Sequence, residues 1–288
     1  MVTTIFAGLA VGAIYAMVAI GYNIVFIASR VFNFAQAQFV MIGAFTAYVV
    51  SSASDVPLWI ALAVCATVGA VIGSLEEVLA IRWLRGHGGH NELVTTLGVA
   101  TLLSGIALAV WGSEPRQLEY VASDHAVGVL GGRVLLTELL TIAAALLLGA
   151  GVGVLTKRTM IGLAILATSE DRPAASLRGI NAGAIAVGAF AVAGALMAVV
   201  GPLVAAKTYV VYNLGDLLAV KAFVALAVGG FGSYRGALVG GFGVGLVEVF
   251  GARYLGTEWE NIIVFFLLLL ILLLIPNGIF ARRVGRTV

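Results

Sequence analysis

The amino-acid sequence predicts an all-α integral membrane protein of about eight to nine transmembrane segments, and three observations carry that prediction. Its 288 residues are 61% apolar and only 10% charged, and mean hydropathy is +1.11. Soluble domains carry charge at roughly a quarter of positions. The apolar residues gather into runs close to the roughly 20 residues a helix needs to cross hydrocarbon. Lys and Arg then concentrate in alternate connecting segments, the pattern of cytoplasmic loops. The 37 glycines suit close-packed membrane helices, and the single cysteine, Cys65, rules out an internal disulfide.

Taken in order, the run 5–27 lacks a basic start and exceeds the roughly 7–15-residue core of a secretory signal, so a retained span is expected. The run 31–50 opens with Asn33, Gln36 and Gln38. Amides are costly in hydrocarbon, so these should face a partner helix or a translocation path. The run 58–81 contains Glu76 and Glu77 about one turn before Arg82, which predicts a snorkelling ion pair at the membrane boundary. Further spans are expected at 93–111, 134–155, 184–206 and 262–280. Two shorter runs, 217–231 and 237–250, flank the turn Gly-Ser-Tyr-Arg-Gly. At about 14–15 residues each they read as short crossings or a re-entrant pair. Lys221 and Glu248 lie 13 and 14 residues from Tyr234, hence at one depth of an antiparallel pair. Either charge alone would be expensive to bury, so a structural ion pair is expected. Gly232, Gly236 and Gly240 read as a small-residue packing ridge.

Charge sets the orientation. One face collects Arg30, Arg82, Arg85, Lys157, Arg158, Arg172 and Arg178 with the C-terminal Arg282, Arg283 and Arg286. The other has Arg116, Arg133, Lys207 and Arg253 among Asp55, Glu114, Glu119, Asp124, Glu258 and Glu260. The basic face is assigned to the cytoplasm, with the N-terminus outside and the C-terminus inside. The acidic outer loop 113–133 is too short for a domain but long enough to dock a soluble partner.

Several chemistries are excluded. No Gly-x-x-x-x-Gly-Lys-Ser/Thr element cradles nucleotide phosphates. His87, His90 and His125 fall in loops, and the His-Gly-Gly-His stretch has no cysteine or clustered carboxylate beside it. No Gly-x-Ser-x-Gly pairs with an intramembrane histidine. The chain is therefore expected to bind no metal or cofactor, to touch no nucleic acid and to be no enzyme.

One polar stretch, 156–190, interrupts the apolar chain on the cytoplasmic side. Glu170 and Asp171 precede Pro173, and proline suits a first helical turn while acids complement its positive end. A short helix from about Arg172 to Arg178 is expected, closed by Gly179 as a C-terminal cap. The whole chain then reads as one transmembrane domain, 1–288, with this cytoplasmic helix at about 170–180.

The segment GLAILATSEDRPAASLRGINAGAIAVGAFAVAGALMAVVG resembles the cytoplasmic coupling loop and following span of ABC-importer permeases in the branched-chain amino-acid family. Nearly the whole chain follows in register. GLAVGAIYAMVAIGYNIVF is similar to that family's first span, and FNFAQAQFVMIGAF to its Asn-Phe-Ala motif. Glu77 with RWLRG, the Thr-Leu-Gly at Thr96, the Trp-Gly at Trp111, KAFVALAVGGFGSYRGALVGG and IPNGIF succeed one another in the family's order. Each motif is weak alone; their succession is specific. Departures from the family pattern are Gln36-Ala37-Gln38 in place of His-Gly-acid, Val78 for arginine and Arg235 for proline.

The resemblance implies a permease subunit of an ATP-driven importer in a bacterial cytoplasmic membrane. It would pair with a second, related permease and two cytoplasmic ATPase subunits, which would hold the ATP and magnesium. Substrate would arrive on an extracytoplasmic binding protein. ATPase contact is assigned to Gly162, Glu170, Asp171, Pro173, Ala174, Ala175 and Gly179, and the translocation path to Asn33, Gln36, Gln38 and Thr96. The expected solute is a branched-chain or other small neutral amino acid, with urea, a short amide or a pentose as the alternative; a secondary transporter fits less well.

Overall fold

The computed structural model describes residues 1–53, 56–84, 90–118, 125–129, 131–275 and 278–280. The His-Gly-Gly-His segment, the middle of the outer loop and the C-terminal arginines fall largely or wholly outside these residues, although His90 opens a helix rather than lying in a loop. Among the described residues, eight helices are long and apolar enough to cross a membrane.

The first helix, α1 (Val2–Ser29), is the axis of the bundle. It packs along α10 (Tyr234–Leu255) and also touches α5 (Leu136–Arg158), α8 (Ala182–Ala205) and α9 (Leu214–Gly229). Small side chains permit this. A methyl group at Gly12 would lie 2.6 Å from the Gly241 carbonyl oxygen, and one at Gly241 would lie 2.5 Å from the Ala16 Cβ. Backbone contacts of this kind replace the hydrophobic effect as the source of cohesion in lipid. Gly12→Val should therefore lower detergent-solution stability by more than the about 1–3 kcal/mol of ordinary overpacking, because main chain would have to move. Wild-type thermal stability of that variant would contradict the seam.

The chain breaks after α1. Arg30 takes the left-handed conformation at φ 61°, and Val31–Asn33 are non-helical. A 3-10 turn, Phe34–Ala37, then leads into α2 (Gln38–Ala53). The span predicted from residue 31 thus starts with a bend, held by the Asn33 side chain accepting from the Ala35 N–H at 2.9 Å. Phe32 stacks on Tyr22 at 4.8 Å and meets Phe34, Phe223 and Phe231 edge-on or tilted nearby, so aromatic packing seals this bend.

Helix α3 (Leu58–Glu76) runs on into a π-helical turn, Glu77–Ile81, and packs on α8 beside α2. Helix α4 (His90–Trp111) leads to an antiparallel hairpin, β1 (Ala126–Val129) with β2 (Gly132–Leu135), that the sequence reading did not anticipate. Helix α5 follows immediately. The run predicted from 134 therefore begins as strand. Two short helices, α6 (Met160–Glu170) and α7 (Arg172–Leu177), precede α8.

Helices α9 and α10 form the pair around the glycine turn. The second is 22 residues long, not about 14, so it suffices to cross alone. Its polar ends, Tyr234–Arg235 and Arg253–Tyr254, masked that length in the hydropathy pattern. Of the expected glycine ridge, Gly236 and Gly240 do lie against Gly229 and Ala225 of α9. Gly232 stands outside it, in the turn, with its N–H donating to Asn23 Oδ1 at 2.7 Å. The last helix, α11 (Glu260–Leu274), ends before the predicted limit of 280.

Candidate functional site

At the Arg30 end of the bundle, α5 turns tightly into α6. Thr159 Oγ1 accepts from the Gly162 N–H at 3.0 Å, and a Cβ at Gly162 would lie 2.5 Å from the Thr156 Cα and carbonyl oxygen. Glu170 closes α6 rather than opening α7. Asp171 is the N-cap of α7: its carboxylate accepts from the Ala174 N–H at 2.9 Å, and Pro173 occupies the first turn. At the other end the Gly179 N–H donates to Ser176 O at 3.0 Å and the Ile180 N–H to Ala175 O at 3.1 Å. That is the doubly bonded glycine stop of a Schellman motif, with Gly179 at φ 85°. Asn181 then caps α8 through the Gly183 and Ala184 N–H groups.

The element is short, capped at both ends and tied to the axis helix. Arg30 donates from Nε and Nη2 to the Ser169 carbonyl oxygen at 3.0 and 2.6 Å. Within α7, Ala175 is buried and Ala174 partly so, whereas Leu177 is 91% exposed. The outward group is therefore the leucine. The six-residue helix presents Leu177 outward, beside the exposed Pro173, and turns its alanines toward the protein.

A second set of polar residues lies inside the bundle. Asn33 Nδ2 donates to Glu76 Oε2 at 2.9 Å, so its amide fastens the bend to α3. Glu76 thus answers to Asn33, and Arg82 stands 3.8 Å from Glu77 instead. Thr96 is fully buried and bonds within its own helix, to Leu93 O at 3.1 Å. Gln38 Nε2 donates to Asp216 Oδ1 at 2.6 Å, and Ser104 Oγ to Asp216 Oδ2 at 3.4 Å. Gln36 is buried, and neither atom of its amide has a hydrogen-bond partner. The bend before α2, α4 and the start of α9 hence converge on amides, hydroxyls and one carboxylate. Asp216 and Ser104 were absent from the sequence reading: Asp216 sits two residues into α9, just before the apolar run counted from 217, and Ser104 is one of several hydroxyls in an apolar span, after Thr95, Thr96 and Thr101.

The third cluster joins four helices. Lys221 Nζ lies 2.9 Å from Glu248 Oε1 and 2.5 Å from Glu260 Oε1, and Tyr15 Oη donates to the same Glu248 oxygen at 2.9 Å. Glu260, grouped by sequence with the outer-loop acids, is instead the second carboxylate on Lys221. Nearer the hairpin, Lys207 stands 3.5 Å from Glu138. Burial pushes the Lys207 ammonium below its ordinary range, against the opposing pull of the Glu138 charge. Among the described residues no group of three His, Cys, Asp or Glu side chains is placed to hold a metal ion.

Eight helices long and apolar enough to cross a membrane, with clusters of polar side chains between them and a capped short helix at one end, define a multi-pass membrane protein. The family model for the branched-chain amino acid transport system / permease component matches residues 4–272, and the chain belongs to that family. It is 31% identical over 289 residues to the high-affinity branched-chain amino acid transport system permease protein BraD of Pseudomonas aeruginosa, covering 96% of this chain and 94% of the relative. It is 29% identical over 292 residues to the corresponding LivH permease of Escherichia coli, with the same coverage of 96% and 94%. The ribose import permease protein RbsC of Haemophilus influenzae is 25% identical over 243 residues, covering 82% and 73%. No solved structure matches the chain.

Proposed function

We propose that this chain is one of two permease subunits of an ATP-driven importer for branched-chain or other small neutral amino acids. The observation that carries the reading is the near-full-length similarity to a branched-chain amino-acid permease, 96% of this chain against 94% of the relative. A second, related permease completes the path. Two cytoplasmic ATPase subunits, holding ATP and magnesium, take the α7 segment into a groove and move it as a lever, and an extracytoplasmic binding protein delivers the solute. Rigid capping at Asp171 and Gly179, and the Arg30–Ser169 tie to α1, suit a lever better than a loose loop would. The chain itself then needs no bond-breaking machinery. Glu76, Lys221, Glu248 and Glu260 are engaged with partners within the chain, which suits a zwitterion already selected outside the membrane.

The orientation in this reading is N-outside and C-inside, motivated by the excess of Lys and Arg at the α7 end. Single cysteines at Ser113 and Ser176, both exposed, test it. An impermeant maleimide applied to intact cells should mark only the Ser113 position. Labelling at 176 would reject the assignment.

Similarity to a ribose permease supports a pentose importer as the second reading. Co-purifying the complex from native membranes and titrating its binding protein calorimetrically separates the two. Heat with leucine, isoleucine or valine is expected. Heat only with ribose or urea would overturn the solute and leave the importer standing.

A further inference from the structure

We infer that Asp216 is the group on this chain that receives the ammonium of the transported amino acid. This rests on the amino-acid importer reading above.

Depth comes first. Tyr48 Oη accepts from Arg116 Nη1 at 2.9 Å, and Arg116 is bridged to Val210, so this is one end of the bundle. Gln38, which holds Asp216, precedes Tyr48 on α2 by ten residues. That is about 15 Å of helix, against a hydrocarbon thickness of about 30 Å. Ser104, the other partner, lies seven residues inside the Trp111 end of α4. Asp216 is therefore near the membrane midplane.

At that depth the carboxylate is nevertheless exposed on the surface of this chain, as is Val220 one turn further along α9. An acid at the midplane does not face lipid; it faces a protein interface or a water-lined cavity. The α4–α9 face must accordingly border the path or the partner permease.

Chemistry then names the ligand. Asp216 accepts only from two neutral donors, an amide and a hydroxyl. It enters none of the ion pairs among the described residues. The other atom of the neighbouring amide, Gln38 Oε1, is buried without a donor, although Gln38 is only 1% exposed. Gln36, in the turn just before, is equally buried, with both amide atoms unpartnered. Beside the Asp216 carboxylate stands a buried amide oxygen, Gln38 Oε1, without a donor, and no cation among the described ion pairs balances the carboxylate charge. A primary ammonium brings three N–H donors and one positive charge, which matches that deficit. A sugar or urea offers donors but no charge. Lys221, five residues on, is already committed to Glu248 and Glu260 and cannot serve as the counter-ion.

The test uses the whole complex in proteoliposomes with its binding protein, ATP and labelled leucine. Asp216→Asn keeps the shape and the bond from Gln38, turns the Ser104 hydroxyl from donor to acceptor, and removes the charge. Uptake should fall by about tenfold or more, the worth of a charged hydrogen-bond partner. Asp216→Glu should retain more of it. If Asp216→Asn transports leucine like wild type, the assignment fails while the importer reading survives. If wild type carries ribose and no amino acid, the importer's solute is wrong, and that result is read without any variant. A second measurement covers the case in which Asp216→Asn does not assemble. Val220→Cys, in otherwise unchanged protein whose native Cys65 is buried, is treated with cationic trimethylammonium and anionic sulfonate methanethiosulfonates. Normalised to a free thiol, the cationic reagent should react several-fold faster. Equal rates, or no reaction with either, would overturn the proposal.

Discussion

Leu177→Asp is expected to abolish ATP-driven uptake while the permease still inserts and folds. The side chain is 91% exposed on α7, so its loss removes no internal packing. Any effect must come from what it touches outside the chain. An apolar anchor seated in a partner's groove is worth about 2 kcal/mol or more, which corresponds to roughly thirtyfold weaker docking. Introducing a carboxylate there adds desolvation to that loss. Co-purification of the ATPase and uptake should fall together, with the melting profile unchanged. Survival of both would remove α7 from the interface. Ala175→Arg is a different experiment, because Ala175 is buried beneath the helix and its enlargement should displace α7 itself. Gly179→Val falls between them. A Cβ there meets nothing within 4 Å, so its cost is the left-handed backbone alone, about 1–2 kcal/mol.

Lys221→Met should be the most destabilising single substitution in the membrane interior. It leaves Glu248 with the Tyr15 hydroxyl but without its cation, and frees Glu260 as well. Breaking a buried pair on one side costs about 3–5 kcal/mol. Glu248→Gln should cost less, since Lys221 keeps Glu260 at 2.5 Å. Lys221→Met combined with Glu248→Leu should fall well short of the summed losses, and additivity would show that the residues are not directly coupled. A charge swap is expected to rescue poorly. A glutamate at 221 would face Glu260, a repulsion the sequence did not reveal because Glu260 reads as part of an outer loop.

What was legible in the sequence follows from period and punctuation. Long apolar runs placed the major helices, and Asp171, Pro173 and Gly179 marked the ends of α7 because capping chemistry is local. Lys221 and Glu248 could be set at one depth by counting from the turn. Three-body relations were not legible. Nothing local says that Asn33 reaches Glu76, forty-three positions away, or that Ser104 and Gln38 converge on Asp216. The break at Arg30–Asn33 was hidden because Val31 and Phe32 are as apolar as a span. The β1–β2 hairpin carries no apolar alternation strong enough to separate it from the adjoining helix. Leu177 looked like any apolar residue of a short helix until the fold turned Ala175 inward and left it facing out.

In the proposed function, this chain carries neutral amino acids across the membrane under the drive of a docked ATPase. Reconstituting the permease pair with its ATPases and binding protein, and following labelled leucine into proteoliposomes, tests it most directly. Accumulation that requires ATP and the binding protein, and that vanadate stops, is the predicted result. Leucine uptake driven by an ion gradient without ATP, or ATP-driven uptake that ignores leucine, isoleucine and valine, would contradict it.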